Sequence, residues 1–265
     1  FTGVHIYTGS QIQNKVESLE PLVSRHLQSM YNNQQLSLNF VETEKQFLYD
    51  KSCKEICYFD DGIGVTKQKE KRSDKRYEKD AKYVQTDVVL IQNADESYQY
   101  LSENSKIKSS LNLEMQICCH LSIVYQSVYG ILPLVAITDG ARTIRCRLER
   151  LFGKNVCIIL DWYHLEKKIW QYMSRLGQGK DKKEQHVKAL LHYLWHGWTT
   201  EALIYTEQEI KVVTNRQPIL EELQNYLLKH QDEIIDYDTR WRCAAKCIGS
   251  GRGEKANDQI IAARQ

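Results

Sequence analysis

The chain has 265 residues, 42% of them hydrophobic and 26% charged, with a formal net charge of +2. That length and apolar content suffice for one large core or two modest ones, and the near-neutral balance excludes a binder of nucleic acid whose whole surface is basic, leaving room only for a local basic patch. No run of about 18 apolar residues and no secretory leader is visible, so the sequence predicts a soluble intracellular protein, and its opening at Phe1 and stop at Gln265 within a helical pattern read as a fragment.

Residues 11–30 space Ile12, Val16, Leu19, Leu22, Val23 and Leu27 at helical intervals, with Pro21 interrupting, and predict a helical entry segment. Residues 32–39 are polar and connect it to residues 40–50, which are ambiguous between helix and strand. Residues 55–61 (EICYFDD) are rich in β-branched and aromatic types, break at Gly62 and resume as residues 63–66, predicting a hairpin whose first strand ends in Asp60 and Asp61.

Residues 67–82 (KQKEKRSDKRYEKDAK) carry eight basic against four acidic side chains, a local charge of +4. Such a run is either a solvated loop or a sequence-blind grip on a phosphate backbone through residues such as Lys69, Lys71, Arg72, Lys75 and Arg76. Residues 83–92 predict a strand pairing with the hairpin, and residues 111–129, apolar on much of their circumference and ended by Gly130, a core helix. His120 within that helix reads as a packing residue.

Residues 134–165 form the centre of the chain. An apolar run, 134–137, ends in Thr138-Asp139-Gly140, a short helix spans 141–152 and stops at Gly153, and a second apolar run, 156–160, ends in Asp161-Trp162-Tyr163-His164. Strand, helix, strand predicts two parallel strands buried on both faces. Ligands of open α/β sheets bind at the carboxyl ends of such strands, which makes Asp139 a site candidate; the competing reading is that Asp139 caps the helix after it.

Residues 162–176 predict a helix with Leu165, Ile169, Trp170, Met173 and Leu176 on one side, residues 177–183 a hinge, and residues 184–237 an all-helical subdomain. His192 and His196 lie four apart but lack the Glu of a zinc-protease helix, and read as surface or packing histidines. The tail, from Cys247, places the Gly-rich segment Gly249-Ser250-Gly251-Arg252-Gly253 before a helix whose first turn holds Glu254.

Eight cysteines in a chain this long do not form a disulfide scaffold. Cys118, Cys119, Cys146 and Cys157 fall in apolar or helical runs. Cys53/Cys57 and Cys243/Cys247 share a CxxxC spacing looser than the common zinc spacing, and read as thiols more than as a metal site.

Three acidic positions therefore stand out: Asp60/Asp61 at the end of the first strand of a mixed sheet, Asp139 at the end of a later parallel strand, and Glu254 on the last helix. Clustered carboxylates repel unless cations neutralise them, and two oxygen-liganded Mg²⁺ ions are the usual solution at phosphoryl-transfer sites.

In these pieces the chain resembles the Mutator-like DDE transposases of bacterial insertion sequences, whose catalytic core is RNase H-like. YFDDGIGV is similar to the family's strand ending in Asp-Gly, VAITDGARTI to its strand, Asp-Gly and helix, IILDWYHLEKKIW to its strand, aromatic-His and helix segment, and IGSGRGEKANDQII to its Gly-Ser-Gly loop and Glu-bearing helix. The order of the pieces and the helical insert before the Glu agree as well, so that the resemblance covers most of residues 55–265.

It implies an α/β fold, an RNase H-like mixed sheet with an all-helical insertion before the last catalytic helix. The implied divisions are an N-terminal helical segment at 1–50 left from a DNA-binding region, the first part of the core at 51–176, the insertion at 177–240 and a truncated return at 241–265. It implies Asp61, Asp139 and Glu254 as the catalytic, metal-binding triad, Mg²⁺ or Mn²⁺ as cofactor, and His164 as a structural or DNA-proximal histidine. It further implies terminal inverted repeats and target DNA as partners, a homodimer or higher oligomer on DNA, no membrane, and a location in the bacterial cytoplasm with the nucleoid.

Asp60 is the rival of Asp61, which is preferred because it directly precedes the Gly. Asp161 stands where many members have Cys, and Gly253 where they have an apolar residue; Asp161 is the reserve third ligand. The alternatives are a catalytically silent DNA-binding or regulatory derivative of a transposase, and an RNase H-like nuclease without joining activity.

Overall fold

The computed structural model describes residues 44–66, 83–102, 112–126, 132–211 and 216–251. The chain divides into two compact units, one of Phe1–Phe40, Gly62–Val88 and Leu101–Gly130, the other of Val41–Asp61, Val89–Tyr100 and Ile131–Gln265. In the first unit the described helix is α1 (Leu113–Gln126), which buries Leu113, Ile117 and Leu121 at a four-residue spacing.

The second unit holds part of every strand of a five-stranded mixed sheet: β1 (Ile56–Thr66), β2 (Tyr83–Gln92), β3 (Tyr98–Ser102), β4 (Leu134–Thr138) and β5 (Val156–Leu160), in the order β3-β2-β1-β4-β5. β1 runs through Gly62 as one 11-residue strand, so the predicted hairpin within residues 55–66 does not form. Gly62 and Gly64 weaken a strand without ending it, and β1 lies between β2 and β4 in the sheet, paired with β4 over Ile56–Asp60. β2 spans the residues predicted; β3, which the sequence reading did not include, follows it after a turn closed by the Asn93 amide on the Ser97 carbonyl and the Glu96 amide on the Asn93 carbonyl, both at 2.9 Å.

β1, β4 and β5 are parallel, with Asp60 opposite Thr138 and Thr138 opposite Leu160. The connection from β4 to β5 is α2 (Arg142–Phe152), ended at Gly153 as the sequence predicts. After β5 come α3 (Trp162–Arg175), α4 (Lys180–Trp195), α5 (Thr199–Tyr205) and α6 (Gln217–Lys229). The predicted hinge at 177–183 shrinks to its first three residues, because α4 already starts at Lys180. The charged Lys180 to Lys183 run is a solvated first turn, and charge alone does not stop a helix. The ambiguous residues 40–50 contain a short 3₁₀ turn, Lys45–Tyr49.

Period-two alternation decides what each sheet face buries. Cys57 and Phe59 of β1, Val135 and Ile137 of β4 and Ile159 of β5 join one cluster with Leu165, Ile169 and Met173 of α3, Leu190 and Leu194 of α4, and Leu220, Leu223 and Leu227 of α6. The helices of residues 177–240 thus share a core with the sheet, where the sequence suggested a separate subdomain. His192 and His196 lie in an aromatic group with Trp198, their rings 5.2 Å apart.

β5 is an edge strand, and an unpaired edge amide in a core is costly. The chain covers it with the segment after α6: the Leu160 amide donates to the Glu233 carbonyl at 2.9 Å, and the Tyr237 hydroxyl donates to the Leu160 carbonyl at 2.8 Å. No described helix is long and apolar enough to cross a membrane.

Candidate functional site

The register of the three parallel strands brings Asp60, Thr138 and Leu160 into one row. The next residue on each chain is an aspartate: Asp61, Asp139 and Asp161. The row continues past the last strand pair, because the Asp161 amide donates to the Thr138 carbonyl at 2.8 Å. Asp139 and Asp161 therefore follow the carboxyl ends of β4 and β5, and Asp61 follows the last residue of β1 paired with β4, on strands spaced about 4.8 Å apart.

Asp60 is committed elsewhere. Its Oδ2 accepts the Tyr58 hydroxyl at 2.8 Å and pairs with Arg147 of α2 at 2.7 Å, with the Asp60 side chain fully buried. Burial first, then the Asp60 charge, drive the Tyr58 phenol well above its ordinary pKa, so it stays a donor to Asp60. Asp60 thus works on the face covered by α2, as strand alternation demands for the neighbour of Asp61.

Asp139 leads into α2 through a local bond, its Oδ1 accepting the Ala141 amide at 2.8 Å. Asp139 does not cap α2, whose N-cap is Ala141 with no side-chain cap bond; one carboxylate oxygen organises the turn before it. Oδ2 takes no hydrogen bond from the described protein groups, and a half-buried carboxylate with one open oxygen suits a hard, oxygen-seeking cation. Gly140 makes the turn possible, since its φ of +82° is a region that L side chains rarely adopt.

Asp161 differs in kind. It is the N-cap of α3, its Oδ1 accepting the Tyr163 and His164 amides at 2.7 and 3.1 Å, and its Oδ2 accepts the amide and the hydroxyl of Ser250. His164 Nδ1 lies 3.5 Å from Oδ2. Burial would raise the Asp161 pKa, but the bonds from His164 and Ser250 outweigh it and hold the carboxyl below its ordinary value. With both oxygens bonded, Asp161 is poorly suited to the reserve ligand role; it is instead the anchor for the returning chain.

That return is built on a close approach. The Trp162 amide donates to the Ile248 carbonyl at 3.0 Å, and a Cβ on Gly249 would stand 2.5 Å from the Tyr163 ring, so a larger residue there would have to displace that ring. The described chain ends at Gly251, just after Ser250 has reached the row of aspartates.

A stability test follows from Asp161. Its folded pKa lies below the unfolded value of about 3.9, so its contribution is complete above that value and is lost as pH falls through the folded pKa. Asp161→Ala removes a helix cap and both Ser250 bonds, for an expected loss of about 2 to 3 kcal/mol at pH 7. In urea titrations at pH 7 and pH 3 the gap between wild type and variant should narrow at the lower pH. An equal gap at both would show that the Asp161 charge is not what anchors the loop.

Some predicted residues lie outside the described set: Glu254, the basic residues Lys69, Lys71, Arg72, Lys75 and Arg76, and the side chain of Asp61. Among the described residues no group of three or more His, Cys, Asp or Glu is placed to hold a metal ion. Of the CxxxC cysteines, Cys57 is buried, its thiol pushed well above its ordinary pKa by that burial, whereas Cys243 is exposed.

The sequence reading missed one group altogether. At the start of α2, Arg145 pairs with Glu233 at 2.5 Å, and Glu233 also takes His230 Nδ1 at 2.6 Å. His230 is buried against the Asp139-Gly140 turn, with its Cε1 2.6 Å from where a Cβ on Gly140 would stand. Nothing in local spacing marks these residues, because 85 positions separate Arg145 from His230.

Comparison of the chain with protein-family models, with curated proteins and with solved structures returns no match.

Proposed function

We propose that the chain is the catalytic part of a DNA transposase, which cuts phosphodiester bonds at insertion-sequence ends and joins the freed 3′-hydroxyl to target DNA. The observation that most supports this reading is the row of aspartates at positions 61, 139 and 161, one residue beyond the paired ends of three parallel strands. The resemblance in sequence puts catalytic carboxylates at two of those positions, Asp61 and Asp139.

Asp61, Asp139 and Glu254 would hold two Mg²⁺ or Mn²⁺ ions, which when bound activate the attacking oxygen and stabilise the leaving one. The open Oδ2 of Asp139 fits that use, and no protein nucleophile is needed. The first turns of α2 and α3 start at the row, and helix N-termini favour phosphate there. Asp161, with His164 beside it, contributes by holding Ser250, four residues before Glu254.

The test uses a labelled DNA end taken from the inverted repeats flanking the gene, incubated with protein, target DNA and Mg²⁺. A transposase yields joined products, a nuclease only cleaved ends, and a silent derivative binds without cutting. The basic run at 67–82 supplies a second measurement. Replacing Lys69, Lys71, Arg72 and Lys75 by Gln should weaken binding to all sequences alike and reduce the slope of log affinity against log salt by about 3 to 4. An unchanged slope would make that run a solvated loop.

A further inference from the structure

We infer that His230, held by Glu233 and Arg145, is a positioning residue that fixes the Asp139-Gly140 turn from the far end of the helical insertion. The inference deepens the metal-site reading and rests on it only for what Asp139 binds.

The geometry is that of a latch. His230 caps α6, its amide reaching the Tyr226 and Leu227 carbonyls, and its own carbonyl accepts the Glu233 and Ile234 amides at 2.9 and 3.0 Å. The His230 backbone is therefore fixed on both sides. Glu233 is fixed in turn, since its carbonyl receives the Leu160 amide at the end of β5.

Its carboxylate then divides between two partners, Oε1 to Arg145 at 2.5 Å and Oε2 to His230 Nδ1 at 2.6 Å. His230 Nδ1 lies 2.6 Å from Glu233 Oε2 and 3.0 Å from Arg145 Nη2, so the two partners together orient the imidazole and set its Cε1 edge against Gly140. Arg145 completes the grip from the other side, for its amide closes the first turn of α2 on the Ala141 carbonyl at 3.1 Å.

The turn bearing Asp139 is thus held between β4, the first turn of α2 and the imidazole of His230. Gly140 has no side chain with which to hold itself, and its left-handed φ is strained for any replacement. The wall that confines it comes from a residue 90 positions later in the chain. Among the described residues the charged and titratable groups facing His230 are Arg145 and Glu233, which pair with each other, and Tyr226 of α6, whose ring centroid lies 4.8 Å from the imidazole.

The test compares the full chain with His230→Ala, His230→Asn and Glu233→Gln. The last keeps the backbone bond to Leu160 and removes the charge that holds both partners, so it serves if His230→Ala fails to fold. Amide hydrogen exchange without metal is read at Gly140 and Ala141 and normalised to Val135, Ala136 and Ile137 of β4. Mn²⁺ affinity is measured by calorimetry.

His230→Ala and Glu233→Gln should speed exchange at Gly140 and Ala141 by about tenfold or more relative to β4. They should also weaken Mn²⁺ binding by about tenfold, as loss of the groups that orient a metal-binding carboxylate does. His230→Asn, which returns a side-chain N–H near the place of Nδ1, should recover most of both. Exchange that rises no more at the turn than in β4 overturns the latch, as does an Mn²⁺ affinity that stays at the wild-type value in variants whose turn exchanges faster. Faster exchange in a protein that binds no Mn²⁺, with Asp139→Asn equal to wild type, sustains the hold on the turn and sinks the metal reading instead.

Discussion

Asp139→Asn is expected to abolish Mg²⁺-dependent cleavage of the labelled end while leaving the fold intact. Asn keeps the size of the side chain and an oxygen that can accept the Ala141 amide, so the turn into α2 survives. What disappears is the charge on the oxygen that has no hydrogen-bond partner among the described residues. Loss of a charged metal ligand should lower the rate by at least about a thousandfold, equivalent to about 4 kcal/mol in the barrier. The thermal midpoint should move by no more than about 2 °C, which for a chain of this size corresponds to about 1 kcal/mol. Cleavage at near-normal rates would remove Asp139 from the site, and with it the metal-dependent mechanism.

The contrast is Asp60→Asn. That change breaks the buried pair with Arg147 and weakens the bond from Tyr58, so its cost falls on folding, by about 2 to 4 kcal/mol, before it falls on cleavage. The sequence leaves the two neighbours as rivals because both are acidic and adjacent, although Asp61 alone directly precedes the Gly. The structure separates their roles for Asp60: it belongs to the packing of α2 on β1.

What the sequence carried well were features set locally. The limits of β2 and α2 follow from composition and from a stop at Gly153, and α3 from its apolar spacing behind Asp161. Gly62 misled because a break signal was weighed without the neighbouring strands that hold β1 straight. Residues 180–183 misled because a charged run looks the same in a linker and on the wet side of a helix.

Within the site, Asp139 was legible from its place after an apolar run. The work of Asp161 was not, because Ser250 donates to it across 89 positions. The same holds for Arg145, His230 and Glu233: each is an ordinary surface-type residue in its own segment, and only the docking of residues 230–237 on the edge of β5 gives them a common task.

Arg240→Leu should be the most destabilising single change among the charged residues, at about 3 to 5 kcal/mol. Arg240 is fully buried; its guanidinium bonds the Glu55 carboxylate at 2.5 and 3.2 Å, the Leu48 carbonyl at 3.1 Å and the Cys247 carbonyl at 2.7 Å. One side chain thus ties together the 3₁₀ turn before the sheet, the approach to β1 and the segment that carries Ser250 back to Asp161. Burial alone would lower its pKa, but the Glu55 charge outweighs burial and keeps it raised, so the pair remains ionic. Leu fills part of the volume but leaves Glu55, 7% exposed, with Lys246 at 3.1 Å as its remaining cation. Most of the loss therefore comes from an under-compensated buried carboxylate and two orphaned carbonyls. Adding Glu55→Gln to Arg240→Leu should cost less than the two single changes together, because the second change removes the charge that the first left unpaired. The measurement is the urea midpoint at unchanged slope for the four members of the cycle. A single-variant loss under about 1 kcal/mol, or strict additivity, would show that the return segment is held by its apolar contacts and not by this ion cluster.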